Sequence, residues 1–140
     1  MMNIIMLIEM IFLHCIADYF LQGVLAWMKQ KSWWEKHAPS RSEFSRSKYK
    51  FDYKAALLAH SIEWAFLIMI PSFITMWIHV YEPAYCLPYI IFFDLNVVFH
   101  YLIDDMKANK RKINLIEDQI LHFVQIFITW LIWTGIIGWN

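Results

Sequence analysis

Charge is scarce in this sequence. Only 17% of its 140 residues are charged, where soluble domains carry about a quarter. That scarcity, with 60% hydrophobic residues, excludes a basic nucleic-acid-binding domain, while the 12 basic and 12 acidic residues cancel, so only their placement informs. Three glycines and four prolines are too few for a turn-rich all-β fold. The two cysteines, Cys15 and Cys86, have neither the number nor the spacing of a disulfide framework or a thiolate metal site. A chain that is 60% hydrophobic and 19% aromatic is not disordered, and its length allows a single domain, residues 1–140.

What is present is a set of long apolar runs. Residues 3–26, 55–78, 84–105 and 114–138 each provide the roughly twenty mostly apolar residues needed to cross about 30 Å of hydrocarbon as a helix. Eight of the twelve basic residues fall between Lys29 and Lys54; the others are Lys107, Lys110, Arg111 and Lys112. By the positive-inside rule both basic loops face the cytoplasm, so both termini and the 79–83 turn face the other side. The expected fold is an all-α, four-helix transmembrane bundle, crossing its membrane several times. The first span has no basic segment before it and no small-residue cleavage site. It also carries Glu9, His14 and Asp18, so it reads as a span and not as a cleaved signal peptide.

The loop 29–54 is basic, aromatic and rich in serine. It sets topology, and Trp33, Trp34, Phe44, Tyr49, Phe51 and Tyr53 are suited to rest among headgroups while the cations meet anionic lipid. His37 in this loop and His79 at the far boundary read as solvated or interfacial.

The ionisable residues inside the spans are the informative ones, because such groups are costly in hydrocarbon and turn to a bundle interior or a watery cavity. Each span offers an imidazole and a carboxylate: His14 and Asp18, His60 and Glu63, His100 and Asp104, Asp118 and His122. Spacings of three or four place each pair on one helix face. Counted from the basic end at about 1.5 Å per residue, most of them lie about 5–12 Å below the interface, with His14 deeper and Asp104 shallower. Four antiparallel helices would thus bring all eight into one cluster open to the cytoplasmic side, the way bundle metal sites are built.

Imidazole with carboxylate suits Zn, Mn or Fe, and eight candidate ligands suit two divalent ions better than one. Gln22, Asn96 and Gln125 lie one helical turn from ligand positions, where they can orient them. Lys107 can contact a phosphate or snorkel, and Asp104 also suits a helix-end contact with Lys107. Glu9 and Asp94 lie off their helices' ligand faces. The competing reading is a set of His–carboxylate hydrogen-bonded pairs that only fix helix packing.

The segments HCIADYFLQ (His14–Gln22), LLAHSIE (Leu57–Glu63), FHYLIDDMK (Phe99–Lys107) and DQILH (Asp118–His122) resemble a family of small bacterial and phage integral membrane proteins catalogued as a domain of unknown function. Its signatures are H-x3-D-F-x-L-Q, H-F-x-I-D-x2-K and D-Q-x2-H. That family is in turn distantly similar to bacterial inner-membrane proteins described as metal-dependent hydrolases. The resemblance spans nearly the whole chain outside loop 29–54 and implies an intramembrane metal site and a location in a bacterial inner membrane. One departure is Trp64, where the family pattern leads one to expect a second histidine four residues after His60.

Two functions follow as expectations. One is a metal-dependent hydrolase acting on a phosphoester or lipid-linked headgroup near the cytoplasmic leaflet, with Glu63 or Asp105 as general base. The other is a non-catalytic membrane protein. It would be an ion or proton pathway, or a structural metal site with a membrane-protein partner such as a phage envelope modulator. The lipid-facing aromatics also leave room for a homodimer, and nothing calls for nucleic acid.

Overall fold

A computed structural model describes residues 2–37, 48–77 and 83–136. Every element among them is helical. Helix α1 (Met2–Cys15) runs into a π-helical turn (Ile16–Leu21). Two short helices follow, α2 (Leu25–Met28) and α3 (Lys31–His37). Then come α4 (Asp52–Thr75), a 3-10 turn (Pro83–Tyr85), α5 (Cys86–Ala108) and α6 (Leu115–Ile136). His79, the 79–83 turn up to Glu82, loop residues 38–47 and the last residues of the second and fourth expected spans lie outside the described residues.

Four stretches are long and apolar enough to cross a membrane: Ile4–Leu21, Asp52–Thr75, Cys86–Ala108 and Leu115–Ile136, with mean hydropathies of 2.0, 1.6, 1.7 and 1.4. They form a four-helix bundle. α1 packs on α4 and α6, and α5 closes the ring between them. Alternating direction brings the chain between α1 and α4 and the α5–α6 connector to one end of the bundle, called the basic end below.

The faces are inverted relative to a soluble bundle. Ile8, Phe12, Phe20, Phe66, Phe99 and Ile116 point outward, as suits helices surrounded by hydrocarbon. Inside, Met6, Met10, Ile68, Met69, Ile126 and Trp133 form an apolar core distant from the basic end. Toward that end the interior becomes polar, with His14, His60, His100, Asp118 and His122 wholly buried.

The first span ends earlier than expected, at Leu21 and not at residue 26. The physical reason is Gly23, whose φ of +47° is a left-handed conformation that glycine adopts without steric cost. The chain turns there, and Leu25–Met28 continues as a separate helical turn.

Candidate metal centre

Seven of the eight candidate ligands converge at the basic end of the interior. His14 lies in the last turn of α1, and Asp18 follows in the π-helical turn. His60 comes from α4, His100 and Asp104 from α5, and Asp118 and His122 from α6. Within α5 and α6 the i,i+4 spacing stacks carboxylate and imidazole on the inward face. In the first span the wider π turn re-aims the backbone after His14; such single-turn π segments are frequent at functional sites.

Asp104 is the hub. Its Oδ2 lies 3.6 Å from His60 Nε2 and 3.7 Å from His100 Nε2, and its Oδ1 lies 3.5 Å from His122 Nε2. His60 Nε2 is 3.5 Å from Asp18 Oδ1, and His122 Nε2 is 3.5 Å from Asp118 Oδ1. These separations exceed the roughly 2.7–3.2 Å of an N–H···O hydrogen bond. Two triads have their ligand atoms within 4.8 Å of one another: Asp18, His60 and His100, and His100, Asp104 and His122. They overlap at His100.

Many of these atoms are buried with no hydrogen-bond partner: Asp18 Oδ1, His60 Nδ1, Asp118 Oδ1 and both ring nitrogens of His100 and of His122. An unsatisfied buried polar atom costs about 1–3 kcal/mol. Seven in one cluster therefore rival the whole stability of a typical domain, about 5–15 kcal/mol. Packing alone is a poor reason to keep them.

Other groups hold the cluster in place. Trp64 donates from Nε1 to His14 Nδ1 at 2.8 Å, and its ring stacks on His100 at 4.1 Å. His100 stacks in turn on His122 at 4.3 Å. Because His14 Nδ1 accepts from Trp64, the neutral ring carries its proton on Nε2 and donates to Gln119 Oε1 at 3.1 Å. Both nitrogens of His14 are thus engaged, which makes it a support for Asp18, 3.8 Å away. The Gln119 amide donates to Asp18 Oδ2 at 3.3 Å and to Asp118 Oδ2 at 3.2 Å. Gln22 Nε2 is 2.8 Å from His60 Nε2.

Two lysines reach in from the basic end. Lys29 Nζ bonds Asp104 Oδ2 at 2.6 Å, and Lys107 Nζ bonds Asp118 Oδ2, also at 2.6 Å. Lys29 is buried. The sequence sets Lys29 among loop cations that meet anionic lipid and offers Asp104 as one helix-end partner for Lys107, whereas the structure gives Lys29 to Asp104 and Lys107 to Asp118. Both lysines line a polar vestibule of about 400 Å³ together with Gln22, Gln30, Arg111 and Asp104. This opening gives the cluster its access to the outside.

The remaining candidates lie apart. Among the described residues, no hydrogen bond or ion pair links half-buried Glu63 to the cluster. Asp105 is held by Lys110 Nζ at 2.8 Å and Asn109 Nδ2 at 3.0 Å; that contact raises the Lys110 pKa above its ordinary value. Asn96 and Gln125 bond each other, Nε2 to Oδ1 at 2.8 Å, and Thr129 joins them at 3.2 Å. Among the described residues, no hydrogen bond ties that network to the histidines. Glu9 and Asp94 are exposed on the outer faces of α1 and α5. On the loop side, Trp33 stacks on His37 and Trp34 on Tyr49.

Sequence reasoning left out Lys29, Gln119 and the role of Trp64. Gln119 stands inside the DQILH segment, so a signal for it existed. Lys29 lies in a run of loop cations with nothing in the sequence to set it apart.

Comparison with protein-family models, curated proteins and solved structures finds no match to this chain.

Proposed function

We propose that this chain is an integral membrane protein of the bacterial inner membrane. In this reading it holds one or two divalent ions between its helices and uses them to hydrolyse a phosphoester or lipid-linked headgroup bond near the cytoplasmic leaflet. The observation that carries the metal reading is the spacing of the imidazole and carboxylate atoms. Two ligand atoms bound to one tetrahedral zinc at about 2.0–2.2 Å stand about 3.3–3.6 Å apart. The five His–Asp separations of 3.5–3.7 Å match that spacing far better than they match hydrogen bonds. The unpartnered ring nitrogens of His100 and His122 and the Oδ1 atoms of Asp18 and Asp118 supply donors, and His60 Nε2 would exchange its Gln22 contact for an ion.

Asp18, His60, His100, Asp104, Asp118 and His122 are the residues that fit such ions. A bound divalent ion supplies an activated water and neutralises charge that develops on the scissile group. The chain's own residues do the rest. Trp64 and Gln119 fix the tautomer and position of His14, Gln22 orients His60, and the vestibule admits a polar group to Asp104. Among the described residues no hydrogen bond or ion pair joins the Glu63 or Asp105 side chain to the cluster's histidines and carboxylates, so neither is assigned a proton-transfer role. The resemblance to membrane-bound hydrolases favours this reaction class.

A second reading draws on the two lysines, which neutralise Asp104 and Asp118 through bonds of 2.6 Å. A polar core so balanced also suits a non-catalytic protein that docks on a membrane partner. Phosphorus NMR of inner-membrane lipid vesicles incubated with manganese-loaded protein separates the two. Hydrolysis predicts release of a phosphorylated headgroup or inorganic phosphate by wild type and none by Asp104→Asn. No metal-dependent change in the phosphorus spectrum would overturn the hydrolase.

A further inference from the structure

We infer that Lys29 and Lys107 exchange partners on metal binding, leaving Asp104 and Asp118 to join Arg111 in a phosphoryl-anion site at the mouth of the cluster. This rests on the metal reading above and names the chemistry that the site would accept.

The argument begins with a competition. Two carboxylates that face the cluster's imidazoles also hold the lysines, Asp104 holding Lys29 and Asp118 holding Lys107, at 2.6 Å each. An ion bound by Asp104 and Asp118 therefore stands beside two ammonium groups. Like charge disfavours that arrangement, and the carboxylates can no longer offer the same lone pairs to both. A lysine ammonium is a compact charge on a flexible four-carbon stem, free to swing where a guanidinium fork would not be.

The direction of movement is given by the surroundings. Inward lie the buried histidines; on the open side lies the vestibule that both lysines already line. Arg111 waits there. It is exposed, and among the described residues it forms no ion pair. Its backbone has φ +52°, an uncommon conformation for a residue other than glycine, which fixes where the α5–α6 connector presents its side chain. Two released ammoniums and one guanidinium around about 400 Å³ make a charge-assisted site for a phosphate dianion. Metal and anion then help each other bind, and reciprocity makes the effect equal in both directions.

The test uses the full chain in detergent, with manganese as the metal and inorganic phosphate as the anion, both followed by titration calorimetry. Phosphate should bind roughly tenfold more tightly to manganese-loaded protein than to metal-free protein. Arg111→Gly, which removes the guanidinium at a position whose backbone suits glycine, should take up manganese normally and lose most of that gain. Lys107→Met should bind manganese at least as well as wild type and phosphate more weakly. Uptake of manganese with phosphate binding unchanged by the metal would overturn the exchange and leave the metal centre standing. No manganese uptake by wild type would overturn the metal centre and the exchange with it. A further arm replaces free phosphate with nanodiscs containing phosphatidate in phosphatidylcholine. Displacement of phosphate by these discs identifies a lipid headgroup as the anion; phosphate binding that the discs leave untouched identifies a soluble phosphate compound.

Discussion

At the scale of single residues, the cluster is governed by which side chain satisfies which. Asp104 faces three imidazoles and a lysine. Asp104→Asn keeps the shape, removes the charge, and should abolish metal retention. It also leaves Lys29 buried without its counter-charge, a loss of about 3–5 kcal/mol. Adding Lys29→Met should recover much of the thermal stability but none of the metal, which a melting curve and elemental analysis of the same samples would check. Trp64 tests the supporting groups. Trp64→Phe keeps a ring over His100 and deletes the donor to His14 Nδ1, so no ligand changes. Metal affinity, measured by competition with a chelator, should still fall about 10–100-fold. Unchanged affinity would mean that His14 needs no orienting partner. The paired His and Asp residues were legible in the sequence because ionisable groups inside apolar spans are too costly to be incidental. Trp64 and Lys29 were not, since an aromatic in a span and a cation beside one have ordinary explanations that only their contacts displace.

At the scale of elements, the notable feature is the turn at Ile16–Leu21. A π turn holds one more residue than the α-helix it interrupts, and nothing in the local composition announces it. The sequence therefore read one uninterrupted helix to residue 26. The structure instead ends it at Leu21 and uses Gly23 to reverse into α2. That detour carries Gln22 to His60 and Lys29 to Asp104. Inserting one alanine after Phe20, a residue 79% exposed, adds a residue beyond the one the turn absorbs and should rotate all that follows by about 100°. Both contacts would then be lost at about 1–3 kcal/mol each, seen as a lower melting temperature in detergent. A melting temperature equal to wild type would show that the π turn positions nothing. The α5 and α6 pairs were easier to anticipate, because regular α-helix carries i,i+4 spacing directly into space.

At the scale of the whole molecule, four apolar helices enclose a polar interior at one end and an apolar one at the other. The hydropathy of the runs made the spans readable, and the grouping of cations made the basic end readable. The positive-inside rule predicts that this end is cytoplasmic. With Cys15 and Cys86 replaced by alanine, a cysteine at Lys36 should be protected from an impermeant thiol reagent in intact cells, and one at Ala84 should be labelled. The reverse pattern would invert the topology and place the vestibule outside. The central claim is the metal centre, and its most direct measurement is the elemental content of detergent-purified protein from cells grown with ample zinc, manganese and iron. Wild type should carry about one or two equivalents of a divalent ion. His100→Ala and His122→Ala, still helical by circular dichroism, should carry almost none. Wild type free of metal, or variants that keep the same content, would contradict the account.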